Sequence, residues 1–247
     1  MTLPRIVDRE EWLIARKELL AKEKRLTREI DAVNADRRRL PMVRMDKPYR
    51  FEGPQGQVGL SELFEGCRQL IIQHAMWLFE PDTGCPSCSA SLDEMSPGLL
   101  EHLRARDTAF VVVSRGAFAS LERYRLSKGW TMPWYSSYGS DFNYDFHVTL
   151  DESVLPVEYN YRSKAELEEI GQVLVQPGRS SEQPGISCFL REQDEVFHTY
   201  STYARGADHL GGAYAFLDRT ALGRQEEWEE PKGRVARTRS AVPDFTG

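Results

Sequence analysis

Trp12, Leu19, Leu26 and Val33 recur every seven residues, with Ala15 and Ile30 widening the stripe, while the intervening positions are densely charged. This pattern predicts one long helix over 8–37, with a narrow apolar seam that suits docking on a domain body or on another chain. Asp8 caps it, Glu11 stands where a capping box is completed, and Pro41 ends the pattern. Residues 49–60, with Gly53-Pro54 and Gly56, predict a short hairpin, and SELFEG (61–66) a helical turn stopped by Gly66. QLIIQHAMWLF (69–79) predicts a strand covered on both faces, followed by a loop through EPDTGCPSC. Helical spacing runs from Pro86 through Leu92 and Met95, breaks or kinks at Pro97-Gly98, and continues through Leu99, Leu100 and Leu103.

TAFVVVSRG (108–116) predicts a second buried strand, and 118–128 a helix stopped by Gly129. PWYSSY (133–138) is a short extended segment, and DFNYDFHV (141–148) a turn leading into another. Between 150 and 184 only a helical patch at 166–171 stands out. GISCFLRE (185–192) and EVFHTYSTY (195–203) predict an antiparallel hairpin, 207–217 a last helix, and the polar residues from about Thr220 a loosely held tail. Strand, helix, strand, helix, hairpin and helix together predict an α/β class, a mixed sheet with helices on both faces.

The net charge of −6 leaves no electrostatic footprint for nucleic acid, and Arg37-Arg38-Arg39 reads as a solvated helix end. Acidic residues in MTLPRIVDREEW stand where a secretory signal needs an uninterrupted apolar segment. The longest apolar stretch, Leu70 to Phe79, is too short to span a bilayer. A cytoplasmic protein with no membrane partner is the expectation. In that compartment a close cysteine pair is catalytic or metal-binding rather than part of a disulfide scaffold.

That pair is Cys85 and Cys88 in GCPSCS. The motif follows a buried strand and opens a helix, with Pro86 fitted to the first turn. Cys85 then sits beside unpaired backbone N–H groups and the positive end of the helix dipole, which favour the thiolate. Cys88 lies one turn on and on the same face, close enough to form a disulfide. In this reading Cys85 attacks a substrate disulfide or peroxide and Cys88 resolves the mixed species. Zinc is a second reading, but there is no second CxxC and no HxxxH, so Cys67, Cys188, His74 and His198 would have to converge singly. A third is a non-catalytic binding protein that keeps the same scaffold. The leading reading calls for no metal and no cofactor. Cys188 and His74 read as core residues. Strict alternation places His198, Tyr200 and Thr202 on one strand face and Thr199, Ser201 and Tyr203 on the other.

The strings GCPSCS, VVVSRG, GW-x-x-PW-x-SSYGSDFNYDF and FHTYSTYARG resemble a group of bacterial proteins catalogued as a domain of unknown function with a thioredoxin-like fold. The similarity runs from about Pro41 to Asp218. The hairpin, SELFEG and strand before the motif also look like peroxiredoxins. The chain then divides into a helical arm (1–40) and a polar tail (220–247), read from the patterning, around a domain (41–219) that the resemblance implies is thioredoxin-like. The resemblance also implies Cys85 as nucleophile and Cys88 as resolving thiol, with a thiol or disulfide substrate and an electron donor as partners. The arm's seam adds a homodimer through the N-terminal helix.

Two features depart from the resemblance. Ile186 stands where those enzymes place a cis-proline, with Pro184 two residues earlier. Asp82 occupies the position three before Cys85 where a peroxidase would carry Thr or Ser, and Arg115 and Arg205 are the candidates for its arginine. Ligands of such sheets meet the C-terminal ends of the parallel strands. That rule assigns Trp77 and Phe79 as apolar walls, Arg115 as the charge favouring thiolate, and Ile186 and Ser187 as the facing turn. Pro86 and Ser87, between the cysteines, complete the set.

Overall fold

The computed structural model describes residues 3–176, 178–210, 212, 215, 217–222, 225–233 and 235–238. The chain divides into two compact units, one holding the residues up to Pro41 and those from 216 to 240, the other holding 42–215. In the first unit, α1 (Arg9–Arg37) is a single helix whose N-cap Asp8 accepts the Glu11 N–H at 2.8 Å. The expected reciprocal half of a capping box does not form, because the Glu11 carboxylate pairs with Arg5 instead. No described helix is long and apolar enough to cross a membrane.

The second unit opens with β1 (Val43–Arg44), the hairpin of β2 (Arg50–Gly53) and β3 (Gly56–Gly59), and a 3-10 turn at Glu62–Phe64. Next come β4 (Gln69–His74), the small hairpin of β5 (Trp77–Leu78) and β6 (Thr83–Gly84), α2 (Pro86–Asp93), α3 (Pro97–Arg104) and β7 (Thr108–Ser114). The chain continues through α4 (Phe118–Ser127), β8 (Trp134–Ser136), α5 (Phe142–Asp145), β9 (Thr149–Leu150), β10 (Glu158–Tyr159), β11 (Arg162–Ser163) and α6 (Lys164–Glu169). It closes with β12 (Ser181–Glu182), β13 (Gly185–Glu192), β14 (Glu195–Tyr203) and a 3-10 turn at Ala204–Leu210. The last helix expected over 207–217 falls partly outside the described residues, and its described beginning is this 3-10 turn.

The main sheet runs β1-β14-β13-β4-β7-β8-β2-β3. β4, β7 and β8 are parallel, and β13–β14 is an antiparallel hairpin laid against β4. The helices between the parallel strands make two crossover units, and the result is a thioredoxin-like mixed sheet. β7 is buried along its whole length because both faces are covered. Ala109, Val111 and Val113 join one core with Leu70, Ile72, Phe142 and Phe189. Phe110 and Val112 join the other with Trp77, Leu121, Trp134 and both motif cysteines. Each large side chain so buried contributes about 2 kcal/mol.

The structure corrects several expectations. The apolar run 69–79 is not one strand: β4 ends at His74, and Trp77–Leu78 turns back on Thr83–Gly84. Of the kink or break expected at Pro97-Gly98, the structure has the break: α2 ends at Asp93 and Pro97 starts a new helix, with Ser96 capping the Leu99 N–H. The segment 141–148 forms the single helical turn α5 before extended chain resumes at Thr149. The alternation expected in β14 fails at a bulge: Phe189 pairs with His198 but Cys188 with Tyr200, leaving Thr199 as the extra residue. That extra residue turns His198 to the face of Ser201, whose hydroxyl it meets through Nε2 at 2.8 Å.

Candidate active site

Cys85 is the N-cap of α2, and Pro86 occupies its first turn. The Met76 backbone, two residues past β4, clamps the motif on both sides. Its carbonyl accepts the Cys85 N–H at 3.1 Å, and its N–H donates to Cys88 Sγ at 3.4 Å. Ser87 Oγ lies 3.1 Å from Cys85 Sγ. Both cysteines are free thiols, 9% and 7% exposed.

The electrostatics divide the pair. The Cys85 pKa falls to about 5, chiefly because the Cys88 thiol donates a hydrogen bond to it. Burial opposes that fall, while the Ser87 hydroxyl and the Cys88 and Ser87 backbone N–H groups add to it. Cys88 is pushed the other way, by its bond to Cys85, by burial and by the charge on its neighbour. The two shifts run in opposite directions, toward thiolate at Cys85 and toward thiol at Cys88, the division of labour that dithiol exchange uses.

Trp77 packs in the same core as the cysteines, edge-on to Tyr124 and Trp134, and its indole N–H donates to Asp82 Oδ1 at 3.0 Å. Asp82 also accepts from Ser120 Oγ at 2.7 Å, which ties the β5–β6 loop to α4. Phe79, in that loop, is 46% exposed. Ile186 is nearly buried and pairs across the sheet with Gln73, whose amide reaches Ser91 of α2 at 3.4 Å. Ile186 therefore stands on the sheet face that carries the dithiol helix.

Two expected residues have other commitments. Arg115 Nη1 donates to Glu182 at 3.3 Å, and its guanidinium lies over the Tyr144 and Phe79 rings, 4.9 and 5.7 Å from their centroids. Glu182 also accepts from Thr149 Oγ1 at 2.8 Å, and burial raises its pKa. The groups that shift the Cys85 pKa are Cys88, Ser87 and burial. Ser187 is fully buried on the face opposite Ile186. Its hydroxyl lies 2.8 Å from both His74 Nε2 and Ser201 Oγ, in a chain of polar groups that ends at His198. Burial, and then His198, lowers the His74 pKa to about 3, so its imidazole is neutral. The structure thus gathers Cys85, Pro86, Ser87, Cys88, Trp77 and Ile186 around α2, holds Ser187 in a separate network, and commits Arg115 to Glu182 with Phe79 beside its guanidinium.

Met76, Asp82 and Tyr159 belong to the site's surroundings and were not singled out as site residues from the sequence. Tyr159 donates its hydroxyl to Pro184 O at 2.9 Å and accepts the Ala204 N–H at 3.1 Å. Its pKa is pushed up to about 12, mainly by burial, against the Ala204 N–H, which lowers it. Asp82 had a sequence signal, an acid in the tight PDTG turn beside an indole that needs an acceptor. Met76 acts through its backbone and had none. Among the described residues no cluster of three or more potential ligands could hold a metal ion.

Comparison with solved structures returns a peroxiredoxin Q (PrxQ) mutant of Xylella fastidiosa, 11% identical, with a TM-score of 0.41, covering 69% of this chain and 91% of that one. A putative protein disulfide isomerase from Bacteroides thetaiotaomicron is 16% identical at a TM-score of 0.37, covering 66% and 82%. A putative thiol:disulfide interchange protein DsbE from Chlorobium tepidum is 14% identical at 0.34, covering 68% and 90%. A comparison with curated proteins found no match. The family of bacterial proteins of unknown function DUF899 matches residues 1–241, nearly the whole chain, and the protein belongs to that family.

Proposed function

We propose that the protein is a thiol–disulfide oxidoreductase working through Cys85 and Cys88. The observation that carries this reading is the placement of Cys85 as N-cap of α2, with Ser87 Oγ 3.1 Å from its sulfur and Cys88 one turn on, where the Cys85 pKa falls to about 5 and that of Cys88 rises. With its pKa at about 5, Cys85 favours thiolate over thiol by about a hundredfold at pH 7. The thiolate attacks one sulfur of a disulfide and expels the other as a thiolate, leaving a mixed disulfide on Cys85. Cys88 gives up its proton to the expelled thiolate and attacks Cys85 Sγ. The intramolecular disulfide forms, and the second substrate thiol leaves. A dithiol reductant then restores the pair. We also assign the apolar seam of α1 to a second copy of the chain, which makes the protein a homodimer through this helix.

Mass spectrometry of the Cys88→Ser variant after incubation with a disulfide tests the redox reading. Without the resolving thiol, the adduct is expected to accumulate on Cys85. Wild-type protein whose Cys85–Cys88 disulfide neither forms with diamide nor reverses with dithiothreitol would instead be a binding protein.

A further inference from the structure

A disulfide carried by a protein brings its backbone with it, because the cysteine Cβ atoms of a mixed disulfide sit about 3.5–4.5 Å apart. Extended chains dock by adding a strand to free backbone groups beside the site. In this protein much of the backbone before Gly185 is already paired. Gly185 pairs with His74, two residues before the Met76 that clamps both cysteines, so the residues preceding Gly185 run past the motif. Ser181 and Glu182 are paired with Leu150 and Thr149 of β9. The Gln183 N–H donates to Val148 O at 2.8 Å. Pro184 has no N–H, and its carbonyl accepts the Tyr159 hydroxyl. Gly185 itself pairs with Tyr203, and a Cβ there would meet Tyr203 at 2.7 Å and Val148 at 3.3 Å.

The other flank is closed as well. Thr83 and Gly84 are paired with Leu78 and Trp77, and a Cβ at Gly84 would meet the Tyr124 ring at 2.6 Å. Asp82 pins the same loop to α4. The chain's own residues 148–150 and Tyr159 therefore take backbone groups of 181–184 that a docked polypeptide substrate would otherwise use, and the sulfur of Cys85 is left to a reagent that needs no strand beside it.

A hydroperoxide is a weaker candidate than a disulfide on chemical grounds. Its leaving group is an alkoxide or hydroxide, far more basic than a thiolate, and calls for a nearby cation or strong donor. Arg115 is held by Glu182, and Arg123 reaches Asp82. Resting on the dithiol reading above, we propose that the substrate is a low-molecular-weight disulfide and that protein disulfides are excluded by the chain's own strand and tyrosine. Two electrons and one shared proton pass from the dithiol to the small disulfide. It leaves as two thiols once the second thiolate is protonated, and a dithiol reductant closes the cycle.

The test uses the full-length reduced protein, quenched in acid at intervals, with the Cys85–Cys88 disulfide read by peptide mass spectrometry. One arm receives 2-hydroxyethyl disulfide, and the other receives insulin at the same disulfide concentration. The small reagent is expected to be faster by roughly 100-fold, since a protein chain must displace about two of the chain's own backbone hydrogen bonds to approach, and each costs up to about tenfold. Equal rates, or a faster reaction with insulin, overturn the inference and leave the redox function standing. So does a dithiol that neither reagent oxidises although diamide and dithiothreitol cycle it. A dithiol that diamide cannot oxidise removes the redox function and the inference together.

Discussion

Replacing Cys88 with alanine removes the largest influence on the Cys85 thiolate. The fall of the Cys85 pKa from 9.0 to about 5 corresponds to about 5 kcal/mol in favour of the charged form, on the order-of-magnitude scale of 1.4 kcal/mol per pH unit. A hydrogen bond to a charged acceptor supplies ~1.5–3 kcal/mol of such a total. Losing it moves the titration midpoint up by roughly 1–2 pH units. The remaining donors, Ser87 Oγ and the backbone N–H groups of Ser87 and Cys88, stay in place, so the midpoint remains below the ordinary thiol value. Cys88→Ser keeps a donor at the same position and should hold the midpoint near that of the wild type. The assay is the rate of iodoacetamide labelling of the Cys85 peptide, followed by mass spectrometry from pH 4 to 10. For the wild type the rate falls as pH drops through about 5. An alanine variant with the wild-type midpoint would refute the assignment to Cys88 and leave the helix terminus as the source. A wild-type midpoint near 9 would refute the thiolate itself.

Arg115→Met should leave the Cys85 labelling profile in place, because the guanidinium serves Glu182, but should lower stability by about 3 kcal/mol by leaving a buried carboxylate unpaired. A shifted Cys85 midpoint with unchanged chemical denaturation would show the reverse. Gly116→Ala places a Cβ 2.7 Å from the Trp77 ring and 2.8 Å from Leu121, and overpacking of this kind costs ~1–3 kcal/mol. Unchanged denaturation and unchanged tryptophan emission would mean that the indole has room to move. Deleting residues 1–40 removes the α1 seam and should halve the mass measured by light scattering. A truncated protein with unchanged mass and melting would refute the homodimer.

The sequence made the parallel core legible because β7 carries it as seven consecutive buried residues. It could not mark where β4 stops. Trp77 is as apolar as Ile72, yet the ladder ends when Ser114 Oγ caps the Ala75 carbonyl and the chain reverses into β5 and β6. Residues 150–184 were opaque for a different reason: β9 to β12 are too short to show a period of two. The bulge at Thr199 is invisible for the same kind of reason, since a single inserted residue changes the parity of a strand without changing its composition.

The site shows the same division between side-chain pattern and backbone placement. Two cysteines three apart, with a proline after the first, state their own geometry, because one helical turn brings them together. A charge does not. Arg115 follows a parallel strand, where a ligand-facing cation belongs, and only the fold reveals that Glu182, 67 residues away, reaches it. Met76 is the limiting case. It holds Cys85 and Cys88 through its carbonyl and its N–H, groups that nearly every residue carries, so no reading of residue types could have selected it. What places those two groups is the end of the β4 ladder, one residue earlier at Ala75, where the N–H still binds Val113 O. The geometry of the dithiol is therefore inherited from the edge of a buried strand, and a substitution that leaves both cysteines intact but shifts that edge would alter the thiolate as surely as one within the motif.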